Sequence, residues 1–170
     1  MILTGSIHAS TVSALEGSSM PQTRKRLYLD ACTLCRPYDD QTGLRIRLET
    51  DAYYLILAHV EMGRYSVVVS PVHLAEIGSI PDHTERVEVQ QLLKRFGSVA
   101  ICSPSEARKR ADELAGLKFG VADAAHVAYA EASADVFVTC DVQLYKRCKR
   151  HGIHIPAYTP VEFVTVEGLE

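Results

Sequence analysis

Four acidic residues stand where a parallel sheet would gather them. Asp30 closes a short apolar segment, Arg26 to Asp30, that reads as a first strand. Asp141 sits two residues beyond Thr139, the end of a fourth strand over Val136 to Thr139. Glu76 lies in the helix that follows a strand over Ser66 to Val69, a full turn or more along it. Asp123 is near the start of an Ala-rich helix, where the helix dipole favours a negative charge and where Ala122, Ala124 and Ala125 permit close packing. Ligands of open parallel sheets bind outside the carboxyl ends of the strands, so these carboxylates are expected to converge there. Acids brought face to face repel one another unless a cation sits between them. Hard oxygen ligands of this kind suit Mg²⁺ or Mn²⁺ rather than zinc. Most of the 21 Asp and Glu residues must still be solvated surface or helix caps, so spacing alone does not prove a site.

The elements that must position these acids can be read in order. A helix over Thr42 to Met62 carries Leu48, Ala52, Leu55, Ile56 and His59 on one face and stops at Gly63. Ser70-Pro71 opens the helix that bears Glu76. Asp82 and Glu85 form a capping box for a helix reaching Phe96, and Ser103-Pro104-Ser105-Glu106 forms another. The remaining expected elements are a third strand over Ser98 to Cys102, helices over Val121 to Ala132 and Val142 to Arg150, and a fifth strand over Ile153 to Ile155. Strands alternating with helices imply a mainly parallel sheet covered on both faces. The fold class expected is α/β, a three-layer α/β/α arrangement. Residues 1–24 read as an N-terminal extension without stable structure, with Met20 a candidate start, residues 25–165 as the folded domain, and 166–170 as a tail.

The bulk composition bounds the function. The chain has 170 residues and a net charge of −3, which argues against binding nucleic acid through global positive charge. An acidic metal site offsets local basic patches, so a nuclease is not excluded. No apolar run is long enough to span a bilayer and no secretory signal pattern opens the chain. Five cysteines without a disulfide framework suit the cytoplasm. Cys32 and Cys35 form a C-x-x-C, but a structural zinc needs about four ligands and no second pair supplies them. Packing beside a strand end is the better reading of that pair.

Three segments carry a family resemblance. YLDACTLCRPYDDQTGLRIRLE resembles the opening of PIN-domain proteins, especially the branch with L-N-R-P-F-D-D after the first aspartate. SPVHLAEI resembles the second PIN motif with its glutamate, and VADAAHVAYAEASADVFVTCD resembles the third and fourth. The match runs in the right order from about Leu27 to Cys148. PIN domains include metal-dependent ribonucleases, among them the VapC-like toxins of bacterial toxin–antitoxin pairs. The resemblance implies that Asp30, Glu76, Asp123 and Asp141 are the acidic site residues and that Thr139 is the small polar residue before the last acid. It also implies an RNA substrate, a Mg²⁺ or Mn²⁺ cofactor, and an antitoxin partner. A bound metal would lower the pKa of a coordinated water and stabilise charge on the attacked phosphate. Three positions depart from the pattern: Cys35 replaces asparagine, Tyr38 replaces phenylalanine, and Val142 follows Asp141 where a second acid is common.

Other features weigh less. Arg45 and Arg47 follow the first acid motif and are candidates for contact with RNA or a partner. Further basic clusters occur at Arg24 to Arg26, Arg108 to Arg110, and Lys146 to Arg150. His126, three residues after Asp123, either orients that acid or is a satisfied core histidine, and the second is favoured. Tyr53, Tyr54, Leu55, Leu57 and Val60 spread apolar surface around the long helix, from which a homodimer is expected. No G-x-S-x-G elbow or phosphate-cradling glycine loop is present. The reading is a metal-dependent endoribonuclease, its rival a non-catalytic PIN module that binds RNA or a protein.

Overall fold

The computed structural model describes residues 24–170, so the extension expected over residues 1–24 lies, apart from Arg24, outside the described residues. Among the described residues five strands form one all-parallel sheet: β1 (Lys25–Leu29), β2 (Tyr65–Val69), β3 (Gly97–Val99), β4 (Val136–Val138) and β5 (Ala157–Tyr158). Their order is β3-β2-β1-β4-β5. The helices are α1 (Ala31–Leu34), α2 (Leu44–Glu61), α3 (Pro71–Gly78), α4 (His83–Phe96), α5 (Pro104–Gly116), α6 (Val121–Ser133), α7 (Val142–His151) and α8 (Pro160–Glu167), with a 3₁₀ turn over Arg36–Tyr38.

Side chains alternate across the pleat of each strand, and this alternation builds two cores. Leu27, Leu29, Val67, Val69, Val136 and Val138 face one side, against Tyr53, Ile56 and Val60 of α2, Leu93 of α4 and Phe163 of α8. Tyr28, Val68 and Phe137 face the other side, against Leu114 of α5, Val127 and Ala128 of α6, and Leu144 of α7. Each large apolar side chain buried this way contributes about 1.5–3 kcal/mol. The result is the expected three-layer α/β/α arrangement. No helix among the described residues is long and apolar enough to cross a membrane.

Several boundaries differ from expectation for physical reasons. The third strand is Gly97–Val99, not Ser98 to Cys102, because α4 passes straight into it at Gly97. A Cβ there would collide with the Leu93 carbonyl oxygen and Val69 Cγ2. Ile101, which suggested a longer strand, is 90% exposed. The fifth strand is Ala157–Tyr158 instead of Ile153 to Ile155; Pro156 accepts from Phe137 N and Tyr158 from Thr139 N. Helix α8 was not expected, and it runs across the boundary placed at residue 165. Its start carries a capping box between Thr159 and Glu162, and Leu169 beyond it is buried. On α2 the buried stripe includes Ala52, Tyr53, Ile56 and Val60, while Leu48 is about half exposed. Ser103 makes no capping bond from its side chain.

Candidate functional site

Strands β1 and β4 pair in register, Leu29 beside Val138, so the residues that follow them emerge side by side. Thr139 Oγ1 donates to Asp30 Oδ2 at 2.7 Å and accepts from the Asp141 backbone N–H at 3.0 Å. One buried hydroxyl therefore ties the two acid-bearing turns together. Asp30 is itself buried. Its Oδ1 accepts from Ala31 N at 2.8 Å and its Oδ2 also accepts from the Cys32 thiol at 3.1 Å. Asp141 is exposed and caps α7, its Oδ1 accepting from Gln143 N at 2.7 Å and Leu144 N at 2.9 Å.

Glu76 reaches the same edge through a histidine. His126 of α6 is buried, and its Nε2 lies 2.9 Å from Glu76 Oε2 and 3.6 Å from Asp30 Oδ1. Its Nδ1 is 2.8 Å from the Tyr28 hydroxyl, which is 2.6 Å from Ser70 Oγ. Burial works against a charged His126, but the bond to Glu76 and the charges of Asp30, Glu76 and Asp123 outweigh it and raise its pKa. Glu76 is correspondingly lowered by its hydrogen bond to His126. The two directions agree on an ion pair. His126 is thus both a buried histidine and a positioning residue, and the acid it holds is Glu76 rather than Asp123. Behind it, His73 donates from Nε2 to Leu29 O at 2.8 Å and accepts at Nδ1 from Ser70 N at 3.1 Å. Burial, with the neighbouring His126, lowers the His73 pKa to about 3.

Asp123 is half-buried and accepts from Arg147 Nη1 at 3.1 Å. Desolvation raises its pKa, and the charges of Asp141 and Asp30 raise it further, against the lowering effect of Arg147. Three of the acids therefore feel one another's charge at the carboxyl edge of the sheet, and Glu76 joins them through His126. Among the described residues, no three His, Cys, Asp or Glu side chains stand close enough together to hold one ion as they are placed. Glu76, Asp123 and Asp141 are turned onto His126, Arg147 and the α7 N-terminus instead. In donor chemistry the set still fits a hard divalent cation: all four donors are carboxylates, and a cation would offset both the burial and the repulsion that raise Asp123.

The other candidates fall into distinct roles. Arg45 Nη2 donates to the Cys140 carbonyl at 2.6 Å and its Nε pairs with Glu49 at 2.8 Å. Arg36 Nε pairs with the same carboxylate at 3.1 Å, and its Nη2 reaches the same carbonyl at 3.4 Å. This clamp fixes the turn that presents Asp141. Arg47 donates to the carbonyls of Gln41 and Thr42 at 3.0 and 2.9 Å. Cys35 packs against the first core, and burial pushes its thiol up to about 12. Sequence reasoning missed Arg36, Glu49 and Tyr28. Only Glu49 had a readable signal, standing four residues after Arg45 on one helix.

No family model matches the chain, and a comparison with curated proteins finds no match. Solved structures do match. A chain from the crystal structure of VapBC2 from Rickettsia felis, bound to a DNA fragment from their promoter, superposes with a TM-score of 0.54 at 16% identity. The match covers 79% of this chain and 98% of that one. The fold is PIN-like. A chain of FitAcB from Neisseria gonorrhoeae is also similar, with a TM-score of 0.46 at 15% identity over 79% of this chain and 97% of that one. The PIN-like frame has its acids at the carboxyl ends of β1 and β4 and on the flanking helices α3 and α6.

Proposed function

We propose that this chain is a divalent-metal-dependent endoribonuclease acting in the cytoplasm as the toxin of a toxin–antitoxin pair. The observation that carries the reading is the gathering of Asp30, Asp123 and Asp141 at the sheet edge. There Thr139 ties Asp30 to the Asp141 turn, and burial, followed by the charges of Asp141 and Asp30, raises the pKa of Asp123. The likeness to a chain of the VapBC2 complex supports the fold on which the role rests. Asp30, Glu76, Asp123 and Asp141 would hold Mg²⁺ or Mn²⁺. When bound, such an ion lowers the pKa of a coordinated water and stabilises charge on the attacked phosphate. Thr139 keeps Asp30 and the Asp141 turn in one register. His126 holds Glu76 ionised, and the Arg36–Arg45–Glu49 clamp stops the Asp141 turn from moving away. Val142 brings no second acid beside Asp141, so that position rests on one carboxylate.

A second reading has its own observation. Every acid already has a protein partner, as a module that binds RNA or protein without cutting would require. Incubating a panel of cellular RNAs with the chain, with and without EDTA, separates the two. EDTA-sensitive cleavage supports the nuclease, and intact RNA in both arms supports the binding module. The homodimer belongs to the proposal as well, on a different face from the one expected. Tyr53 and Val60 are buried and Leu55 and Leu57 pack against the core, while Leu44, Leu48 and Tyr54 leave exposed apolar surface on α2. Light scattering should give twice the monomer mass at high micromolar concentration, and a monomer mass there would remove the dimer.

A further inference from the structure

We infer that a basic pocket at the adjoining C-terminal ends of α5 and α7 binds a backbone phosphate of single-stranded RNA next to the acidic site. The pocket is lined by Gly116, Leu117, Lys118, Arg147, Arg150 and His151 and has a volume of about 490 Å³. Arg147 connects it to the acids, because its guanidinium pairs with Asp123 at 3.1 Å. Among the described residues, Lys118, Arg150 and His151 enter no ion pair within 4.0 Å. A concave surface with Lys118 and Arg150 unpaired beside a cluster of carboxylates suits a ligand that is anionic along its length. The identity of that ligand as RNA rests on the proposed ribonuclease reading.

The backbone supplies an independent observation. Helix α5 ends in a Schellman arrangement: Phe119 N donates to Leu114 O at 3.3 Å and Lys118 N to Ala115 O at 3.0 Å. The residue at the turn must then take a left-handed conformation, which is why glycine usually stands there. Lys118 takes it at φ 67°, the one positive-φ residue other than glycine among the described residues. The chain uses glycine at the ends of α7 and α8, Gly152 and Gly168, with φ of 56° and 59°. At α5 it places a lysine in the strained position instead, and that residue lines the pocket. Holding a non-glycine residue in this region costs free energy, and the helix end itself needs no cation to form. Phe119, the residue after Lys118, packs against the ring of His151, which lines the pocket, at a centroid distance of 5.8 Å.

The helix C-terminal dipoles also favour cations here, so the test must read RNA and not stability alone. Fluorescence anisotropy of a labelled single-stranded RNA oligonucleotide is measured in EDTA, over a range of salt, with the full chain and three variants. Lys118→Gly relieves the strain and removes the cation; its melting temperature should hold or rise, while RNA affinity falls several-fold. Arg150→Gln should weaken binding similarly. In each, the slope of log K against log salt should shrink by about 0.7, the share of one phosphate contact on a single strand. Lys109→Gln, on α5 outside the pocket, should bind as the parent does. If Lys118→Gly and Arg150→Gln both bind RNA like the parent, the inference is overturned. The same holds if the parent binds no RNA, or if the variants lose poly-glutamate binding but not RNA binding. Because cleavage is blocked by EDTA, the inference stands or falls apart from the nuclease reading. Pocket-dependent binding with no cleavage in Mg²⁺ would sink only the nuclease, and cleavage with unaffected binding only the pocket.

Discussion

The buried His126 Nε2 lies 2.9 Å from Oε2 of the partly exposed Glu76 and within 3.6 Å of a second carboxylate, Asp30. The imidazole therefore decides where Glu76 points. Replacing it with alanine removes the bond that lowers the Glu76 pKa and leaves the Tyr28 hydroxyl with Ser70 alone. Loss of a buried polar partner costs about 1–3 kcal/mol. His126→Ala should lower the urea midpoint accordingly, and NMR titration should show the Glu76 carboxyl returning toward its ordinary value. An unchanged Glu76 titration would show that the pair does not form.

His73 gives the chain a pH dependence whose sign can be worked out. Its folded pKa is depressed to about 3 from an ordinary 6.5, because burial disfavours the charged ring. The unfolded chain takes up this proton below pH 6.5 and the folded chain does not. Stability from this group is thus present above pH 6.5 and lost as pH falls toward 3. The slope in that window is about 1.4 kcal/mol per pH unit. Urea unfolding from pH 7 to pH 5 should show the loss, and His73→Gln should flatten it.

The clamp on the Asp141 turn is tested through Glu49. This carboxylate is 5% exposed and faces both Arg36 and Arg45, and Arg36 is itself mostly buried. Removing one member of a buried pair leaves an uncompensated charge and costs about 3–5 kcal/mol. Glu49→Ala should lose stability on that scale by chemical denaturation. A loss below about 1 kcal/mol would mean the clamp is slack.

Gly97 tests the junction of α4 with the sheet. An added methyl would meet the Leu93 carbonyl and the Val69 side chain at once. One of these is backbone and cannot turn aside. Gly97→Ala should cost about 1–3 kcal/mol, the range for overpacking, and thermal melting measures it. A neutral result would show that β3 shifts freely at the sheet edge.

Much of the fold could be read from the chain because alternation and capping are local. The Ser66 to Val69 and VFVT runs located β2 and β4 to within a residue, and Ser70-Pro71 located the start of α3, since N-cap chemistry and β-branched packing need no distant partner. Ile101 misled because an apolar residue at an edge need not be buried. Helix α8 went unread although Thr159-Pro160 and Glu162 carry the same capping signal seen elsewhere. At the site, strand ends located Asp30, Thr139 and Asp141, but the partners of these groups depend on packing. That His126 would face Glu76 required α6 to cross α3, and that Arg45 would grip Cys140 required α2 to lie over the β4–α7 turn. Neither crossing is written in local spacing.

If the four acids act together on a metal to cut RNA, Asp123→Asn is the substitution that exposes it. Asp123 is the acid whose pKa is raised by burial and by Asp141 and Asp30, so neutralising it should leave folding intact, with a melting temperature unchanged or higher. RNA cleavage in Mg²⁺ should fall about a hundredfold or more, as removal of one group that stabilises transition-state charge typically does. Asp30→Asn should behave alike in cleavage, while Asp40→Asn, an exposed acid bonded only to Thr42, should cut as the parent does. The decisive measurement is the Mg²⁺-dependent cleavage rate of these three variants beside the parent, with EDTA as the blank. Asp123→Asn and Asp30→Asn should be silent and Asp40→Asn active; equal, EDTA-sensitive cutting by all four chains would rule out a shared metal site.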